Sequence, residues 1–540
     1  MNEDVTYQVL KTAIDAGARE FVICAGSRNS SFVEALRVEE RLTTYYWPEE
    51  RSAAFFALGR SRLTHQPVAV ITTSGTASGE LLPAAMEAHY SGVPLILITT
   101  DRPRRFRGSG APQSAEQVGL FGHYASIALD VAEDTPCDFS KWNHRGPIHV
   151  NVCLEEPQNQ PQFSGRSLAI TPPEAKPPFN HDRKHIEEVL NRFLTHANYP
   201  LIIVSALPSS ARETVVNFLL KLGAPVFLEG ISGLREDSRL QHLRIINTEK
   251  ILESAKENEY PINGILRIGG IPTNRIWRDL EYQKNHIKVC SISQLAFSGL
   301  SWNRNVLVGP INEILSHYEM PQNLSLASAS KWLQSQPIFC QLLQELFKEE
   351  PASEPALMHA LSKIVPNSAH LYLGNSLPIR EWDLAADNRD RGLTITASRG
   401  LNGIDGQLST FLGLCTANKP NWAILGDLTA LYDMAGYWII PQLNQIKATI
   451  IVVNNGGGQL FSKMYPYKEM LNLHNLHFQS LASMWGLQYQ QWESIPDENG
   501  EMSGQKFHLA EVIPDNTATK RFWEKFSKRL QQQPLALQIE

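Results

Sequence analysis

Apolar residues along this chain fall into short, β-branched runs that alternate with longer stretches of helical spacing. Such alternation predicts a parallel sheet with helices on both faces. In the first part of the chain the predicted strands are Glu20–Ala25, Thr43–Trp47, Val68–Thr73, Leu95–Thr99 and Ile148–Val152. The predicted helices there are Tyr7–Ala16, Ser31–Val38, Glu50–Thr64 and Ser78–Tyr90.

The same alternation recurs twice more. Strands are predicted in the middle of the chain at Leu201–Ser205, Pro225–Leu228, Gly264–Ile268, Lys288–Ser291 and Asn305–Val308. In the last part a helix is predicted at Ala356–Ile364, and strands at His370–Leu373, Leu393–Thr396, Trp422–Leu425, Thr449–Val453 and Leu535–Ile539. A segment rich in Pro, Gln and Ser follows Pro157, and Glu319–Pro337 is predicted to be irregular. We therefore predict an α/β chain of three doubly wound parallel-sheet domains, 1–165, 181–325 and 351–540, with linkers at 166–180 and 326–350.

Composition narrows the class of protein. The 540 residues are enough for three or four domains, and the net charge of −6 predicts no general affinity for nucleic acid or anionic membranes. No apolar run approaches the roughly 20 residues of a membrane helix, so no stable membrane insertion is expected. The N-terminus lacks a secretory signal, and the six cysteines are scattered. They are expected to be reduced thiols in a cytoplasmic protein.

The segment from Trp422 to Phe461 predicts an ion site. Two buried strands there end in polar residues, Gly426-Asp427 and Asn454-Asn455-Gly456-Gly457, and Ala430–Leu443 between them has helical spacing. The carboxyl ends of parallel strands are where open α/β sheets bind ligands. An Asp, an Asn amide oxygen and a Gly carbonyl suit Mg²⁺ together with a phosphate. Each motif alone is more often an ordinary turn, but the pair joined by a helix favours the ion site.

Three strand-to-helix turns in the first domain are further candidates. Ser27 and Arg28 lie in a turn that favours an anion, although a plain turn with a surface arginine fits equally well. Glu50 opens a helix, where it either complements the helix dipole or acts as an acid or base with a raised pKa. The small residues of Thr73–Gly79 either admit a ligand close to the backbone or form a tight N-cap.

Arginines after other predicted strands complete the candidate chemistry. Arg102 follows the fourth strand, and Arg275 follows a Gly-Gly turn in the middle domain. In the last domain Ser376, Arg380 and Arg399 occupy similar positions. The chain has no GxGxxG, HExxH or GxSxG motif, which argues against a Rossmann dinucleotide site, a zinc protease and a serine hydrolase elbow.

Taken together, these residues resemble thiamine-diphosphate-dependent enzymes. The Gly-Asp and Asn-Asn-x-Gly pair is similar to the magnesium–diphosphate motif of that superfamily, and the glutamate that opens a helix is similar to its aminopyrimidine contact. The order of a pyrimidine, a central and a diphosphate domain matches along the whole chain. Within the superfamily the resemblance is to the 2-succinyl-5-enolpyruvyl-6-hydroxy-3-cyclohexene-1-carboxylate (SEPHCHC) synthases of menaquinone biosynthesis. It rests on the strings AGSRNS, PEERSAAFFALG, TTSGTA, TTDRP, GAPQ, SRGLNGIDGQLST, GDLTALYD and VNNGGGQLF.

The resemblance implies roles for particular residues. The implied ligands of Mg²⁺ (or Mn²⁺) are Asp427, Asn455 and the carbonyl of Gly457. The implied contacts of thiamine diphosphate are Glu50, Ser27, Ile404, Gly426, Leu428, Thr429 and Phe461. The implied catalytic residues are Glu50, Gln113 and Arg28, and the implied substrate contacts are Ser27, Arg28, Arg102, Gln113, Arg275, Ser376, Arg380 and Arg399. The chain departs from the family at Pro112, where Asn is frequent, and at Asn274, where Lys is frequent.

The resemblance also implies a reaction and an assembly. The family decarboxylates 2-oxoglutarate and adds the resulting carbanion unit to isochorismate, so transferase activity in a homodimer or homotetramer with active sites between subunits is expected. The arginine-rich set suits dianionic substrates. One alternative is another thiamine-diphosphate-dependent 2-oxoacid decarboxylase or carboligase, of the acetohydroxyacid-synthase type. Another is a non-catalytic cofactor-binding or assembly protein, against which the joint presence of Glu50, Asp427 and Asn455 argues.

Overall fold

The computed structural model describes residues 2–156, 168–170, 182–246, 250–282, 286–303, 305–462, 464–465, 467–496 and 506–532. Its strands form three sheets, and every strand pair in them is parallel. Helices and buried apolar side chains cover the sheets, as expected when both faces of a parallel sheet are buried. The predicted α/β class is therefore confirmed.

Strands and helices alternate along most of the chain. The strands are β1 Glu20–Cys24, β2 Thr43–Trp47, β3 Val68–Thr72, β4 Leu95–Asp101, β5 Ala128–Val131, β6 Ile148–Cys153, β7 Pro200–Val204, β8 Val226–Leu228, β9 Gly264–Ile268, β10 Lys288–Ser293, β11 Val306–Val308, β12 His370–Leu373, β13 Thr394–Thr396, β14 Asn421–Gly426, β15 Ala448–Val453, β16 Gln488–Trp492 and β17 Phe507–Val512. The α-helices are α1 Asn2–Asp15, α2 Ser30–Arg37, α3 Glu50–Thr64, α4 Thr76–Gly79, α5 Leu82–Ser91, α6 Arg183–His196, α7 Arg212–Leu222, α8 Ile251–Glu257, α9 Arg275–Asp279, α10 Ile311–Ser316, α11 Ser330–Glu349, α12 Glu354–Ile364, α13 Leu377–Ala385, α14 Gln407–Leu414, α15 Asp427–Tyr432, α16 Lys468–Leu471, α17 Gln479–Met484 and α18 Asn516–Gln532.

The first sheet has the order β2-β1-β3-β4-β6-β5. All five strands predicted for this part of the chain are present, with ends that differ by at most two residues. Strand β5 was missed because it is only four residues long and half-exposed, so its apolar signal is weak. The predicted helix Ser78–Tyr90 is divided into α4 and α5, because Pro83 lacks an amide hydrogen and is accommodated in the first turn of a new helix that begins at Leu82.

The second sheet has the order β11-β10-β9-β7-β8, and all five of its strands were predicted. The prediction of an irregular Glu319–Pro337 is wrong from Ser330 onward. There the chain forms α11, which continues through Pro337 and fills the predicted linker 326–350 with helix. Burial of Trp332 and Phe339 on one face of α11 offsets the cost of a proline inside a helix, which is about 3 kcal/mol.

The third sheet has the order β13-β12-β14-β15-β17-β16. Four of its strands were predicted, and the predicted Leu535–Ile539 lies outside the described residues. Strands β16 and β17 were missed. The former is polar, and the latter buries His508 and Glu511 among its apolar residues.

The βαβ unit predicted around Trp422–Phe461 is present. Strands β14 and β15 are direct neighbours, with Gly426 opposite Val453 in the register. The helix predicted at Ala430–Leu443 is replaced by the end of α15 and a 3-10 helix, Met434–Gln442. Helical geometry is interrupted at Asp433, whose buried carboxylate accepts hydrogen bonds from Ser409.

The expectations about the cysteines and about membrane-spanning helices can be compared with the described residues. All six cysteines are free, as predicted for reduced thiols. Among the described residues, no helix combines the length and apolar character needed to cross a bilayer. The domain boundaries remain predictions, since most of the predicted linker 166–180 lies outside the described residues.

Candidate active-site residues

Asp427 and Gly457 meet at the carboxyl edge of the third sheet. Asp427 follows β14 and is buried, and the amide of Gly457 donates to its Oδ2 at 2.9 Å. Nε2 of His474 lies 3.3 Å from the same oxygen. Parallel strands β14 and β15 end side by side, so residues far apart in sequence reach one point, as the sequence pattern predicts.

Asn455 provides the test of whether a metal fits here. Its Nδ2 donates to both carboxylate oxygens of Glu354, at 3.2 and 3.0 Å. Its Oδ1 is buried and has no hydrogen-bond partner among the described residues. A buried, unpaired amide oxygen is costly, and a hard cation that takes oxygen ligands would satisfy it. The residues present therefore fit a hard cation such as Mg²⁺.

The glycines after Asn455 are required by the backbone. Gly457 has φ 138°, a conformation that residues with a side chain rarely adopt. A Cβ at Gly457 would also lie 2.5 Å from the carbonyl oxygen of Leu471. The Asn-Asn-Gly-Gly motif is therefore a constrained turn that holds Asn455 in place.

Two glutamates lie at the start of α3, and their side chains have different surroundings. Glu49 is the N-cap, and its carboxylate accepts from the amides of Arg51 and Ser52 at 3.2 and 2.9 Å. Glu50 is the first helical residue and is half-buried. Burial raises the pKa of Glu50, and the neighbouring carboxylates of Glu49 and Glu80 raise it further. The helix-capping explanation thus belongs to Glu49, which leaves Glu50 suited to exchange a proton.

Arg28 and Arg102 converge on one carboxylate oxygen. Arg28 is buried, and its guanidinium donates to Glu156 Oε1 at 2.7 Å. Arg102 donates to the same oxygen at 2.6 Å. The turn that presents Arg28 is held by Asn29, whose side chain accepts from Gly26 N and donates to the carbonyl of Cys24. Two guanidiniums that share one carboxylate have the donor arrangement needed to bind an acidic substrate.

The small-residue turn between β3 and α4 is built around Gly75. Gly75 has φ 84° and lies against the backbone of Gln113, since a Cβ there would be 3.3 Å from the Gln113 Cα. Gln113 itself is exposed and has φ 56°. The buried amide of Gln117 accepts from Gly75 N at 2.8 Å and fixes the turn. Gln117 was not predicted as part of any site.

The loop that carries Arg399 and Ile404 is held by another buried glutamate. The carboxylate of Glu87 accepts from Gly400 N at 2.8 Å and from Leu401 N at 2.7 Å. Ile404 is half-buried in the same loop, just before α14. Glu87 therefore fixes the backbone between two predicted site positions.

The remaining predicted contacts lie at exposed or helix-start positions. Arg380 donates to the carbonyl of Ser376, which has φ 74° and precedes α13. Arg275 is exposed and pairs with Asp279. The side chain of Asn274 accepts from Ile276 N and caps α9, which gives the departure from lysine a local role.

Four predicted cofactor contacts differ in exposure. Thr429 is buried and Leu428 is half-buried, whereas Ser27 is exposed and Phe461 is 38% exposed. Gly426 ends β14. Among the predicted residues, Asp427 thus contacts Gly457, and Arg380 contacts Ser376. Arg28 and Arg102 meet at the same oxygen of Glu156.

A family model and the curated relatives of this chain agree on one family of enzymes. Residues 4–120 match the family model described as thiamine pyrophosphate enzyme, N-terminal TPP binding domain. The chain is 40% identical over 531 residues to 2-succinyl-5-enolpyruvyl-6-hydroxy-3-cyclohexene-1-carboxylate synthase of Bdellovibrio bacteriovorus, which covers 97% of this chain and 98% of the relative. It is 35% identical to the Akkermansia muciniphila protein of the same name, over 94% of this chain and 95% of the relative.

A solved structure shows the same fold. It is an X-ray structure from Mycobacterium smegmatis, described as a thiamin diphosphate-dependent enzyme, and it matches with a TM-score of 0.68. The match covers 96% of this chain and 100% of the other, at 16% identity. At that identity the likeness bears on the fold alone.

Proposed function

This chain belongs to the 2-succinyl-5-enolpyruvyl-6-hydroxy-3-cyclohexene-1-carboxylate synthase family, and we propose that it removes CO₂ from 2-oxoglutarate and adds the remaining four-carbon unit to isochorismate. The product would be SEPHCHC, in menaquinone biosynthesis, and the enzyme would act in the cytoplasm. The observation that carries the proposal is that the guanidiniums of Arg28 and Arg102 both donate to Oε1 of Glu156, so two arginines are placed to bind one carboxylate. Both proposed substrates carry two carboxylates.

Thiamine diphosphate, when bound, would supply the carbanion and the electron sink for loss of CO₂. We propose that Asp427, Asn455 and the Gly457 carbonyl hold its Mg²⁺, or Mn²⁺ in its place. The buried, unpartnered Oδ1 of Asn455 supports this assignment. Glu50 would hold a proton on its carboxyl and exchange it with the aminopyrimidine, and burial, which raises its pKa, favours the protonated form relative to an exposed glutamate.

The arginines would bind and orient the two acidic substrates. We assign Arg28, Arg102 and Arg399 as the main contacts of the substrate carboxylates. Local contacts fix either the backbone or the guanidinium of each of these arginines. Arg28 is held by the Asn29 turn, Arg102 donates from Nε to the carbonyl of Pro112 at 2.8 Å, and Arg399 lies in the loop held by Glu87. Ser27, Gln113, Ser376, Arg380 and Arg275 would complete the substrate contacts.

A product assay would test the reaction against the acetohydroxyacid-synthase alternative. The protein, with thiamine diphosphate and Mg²⁺, would be given isochorismate with either 2-oxoglutarate or pyruvate, and products would be identified by mass spectrometry. We expect SEPHCHC from 2-oxoglutarate, with kcat/KM at least about 30-fold above that for pyruvate, since one lost guanidinium–carboxylate contact costs about 2–3 kcal/mol. Equal use of pyruvate would favour the alternative. Release of CO₂ from 2-oxoglutarate without acceptor would exclude a non-catalytic protein.

We also propose that the chain forms a homo-oligomer in which Glu50 and Asp427 of one site come from different subunits. Mixing Glu50→Gln and Asp427→Ala subunits after reversible dissociation would test this. A mixed dimer would have one site with both changes and one site with neither, so random mixing should restore about one quarter of wild-type activity by subunit counting. Each variant mixed with itself is the control. If mixed samples stay as inactive as the parents, both residues belong to one chain.

A further inference from the structure

We propose that Glu354 is a positioning residue for the metal site, which fixes the side-chain amide of Asn455 so that Oδ1 points to the ion. This inference rests on the proposed metal ligands Asp427, Asn455 and Gly457. Glu354 carries no local motif and was not among the residues predicted from sequence. It lies 101 residues before Asn455, at the first position of α12.

The argument begins with the two ends of the Asn455 amide. The oxygen and the nitrogen are almost equal in size, so only their partners decide which way the group faces. Nδ2 donates to both oxygens of Glu354, at 3.2 and 3.0 Å. The reversed amide would lose both of these hydrogen bonds and would set Oδ1 against two carboxyl oxygens. Glu354 thus selects the orientation in which Oδ1 is turned away from α12.

The frame around this contact is rigid. The backbone amide of Glu354 donates to Thr519 Oγ1 at 3.0 Å, which fixes the start of α12. The carbonyl of Asn455 accepts from Asn516 Nδ2 at 3.0 Å, which fixes the turn. Glu354 is 3% exposed, so water does not compete for its oxygens. Backbone and side chain of Asn455 are therefore held from α12 and α18, and only Oδ1 is left for a ligand.

The chemical consequence concerns metal affinity. Groups that orient a metal ligand typically contribute about 10–100-fold to metal binding, because an unoriented ligand must be ordered when the ion binds. Without Glu354, Nδ2 would be buried without an acceptor, and the amide would lose its preference for the productive orientation. The loss should fall on the metal first, and on turnover only through the metal.

The test measures the ion directly. Mn²⁺ would be titrated into protein with saturating thiamine diphosphate, and free Mn²⁺ followed by electron paramagnetic resonance. E354M removes the acceptor and keeps an unbranched side chain, and we expect the Kd for Mn²⁺ to rise at least about tenfold. E350M is the matched control, since Glu350 pairs with Arg521 and Lys525 on α18 and has no contact with Asn455 among the described residues. Its Kd should stay within about threefold of wild type.

A second pair of variants keeps the test decisive if E354M fails to fold. N455D places a carboxylate against Glu354, whereas the double variant E354Q/N455D restores a donor opposite an acceptor, with the roles exchanged. We expect N455D to bind Mn²⁺ weakly. The Kd of the double variant for Mn²⁺ should be at least about tenfold lower than that of N455D. Such recovery in a double-mutant cycle measures the Glu354–Asn455 coupling itself.

The outcomes separate this inference from the metal site on which it rests. If D427A abolishes Mn²⁺ binding while E354M binds as wild type does, the positioning role is wrong and the site stands. If D427A binds Mn²⁺ normally, the proposed site itself is wrong. A double variant no better than N455D would also refute the coupling.

Discussion

Replacing Glu50 with glutamine is expected to lower kcat by about 10²–10⁴-fold, the usual contribution of a general acid–base group. Glutamine keeps the size and one hydrogen-bond acceptor of glutamate but cannot take up or release a proton. Burial raises the pKa of Glu50, so removing the carboxyl should leave the protein folded and relieve a small desolvation cost. Steady-state turnover with 2-oxoglutarate and isochorismate, beside a thermal melt, would measure both effects.

The adjacent glutamate provides a matched control. Glu49→Gln should weaken the N-cap of α3, because its carboxylate accepts from two backbone amides. The expected cost is about 1 kcal/mol of unfolding free energy, with kcat changed by no more than about threefold. The assignment of Glu50 fails if Glu50→Gln turns over at a near-normal rate. It fails equally if Glu49→Gln causes the larger loss of turnover.

The local residue pattern does not distinguish these glutamates, and only the family resemblance pointed to Glu50. Both open the same helix, and a dipole or capping role accounts for either one. Capping is decided by backbone geometry: Glu49 has extended backbone angles, φ −131° and ψ 122°, and its side chain folds back onto the next turn. What the sequence did predict was the helix itself, with the observed bounds Glu50–Thr64.

Strands were predictable where residues that favour strands are concentrated between turn residues. Strands β2, β9 and β12 have the predicted bounds, because short runs rich in apolar, aromatic or β-branched residues between turn residues have few other interpretations. Strand β17 was missed because Glu511 and His508 are polar in isolation. In the fold Glu511 accepts from Asn454, Phe478 and Tyr489, so a buried charge is stabilised by distant donors that no local pattern announces.

The same limit applies to the candidate site. The positions of the candidate residues at strand ends were predictable, since each motif lies within a few residues of the strand that it follows. The residues that hold them were not. Glu354 acts on Asn455 across 101 residues, and Glu87 acts on Gly400 across 313. Asn29 is the exception, because an Asn three residues after Gly26 in a turn signals a local side-chain hydrogen bond.

Replacing Asp427 with alanine is expected to abolish Mg²⁺-dependent binding of thiamine diphosphate. Residues that only orient a metal ligand contribute about 10–100-fold, so loss of a charged ligand should exceed about 100-fold in the cofactor Kd. Isothermal titration of thiamine diphosphate at saturating Mg²⁺ would measure it. The same titration with EDTA sets the metal-free limit, and the variant should bind no better with Mg²⁺ than without.

Asp433→Asn distinguishes loss of a metal ligand from loss of a buried aspartate. Asp433 lies six positions after Asp427 and is also buried, but its carboxylate accepts from Ser52 Oγ at 3.0 Å and Ser409 N at 2.7 Å. Burial raises its pKa to about 6. Its replacement should cost about 1–3 kcal/mol of unfolding free energy and leave Mg²⁺-dependent cofactor binding within about threefold. Unchanged cofactor affinity in Asp427→Ala would refute its role as a metal ligand, and an equal loss in both variants would assign the effect to burial.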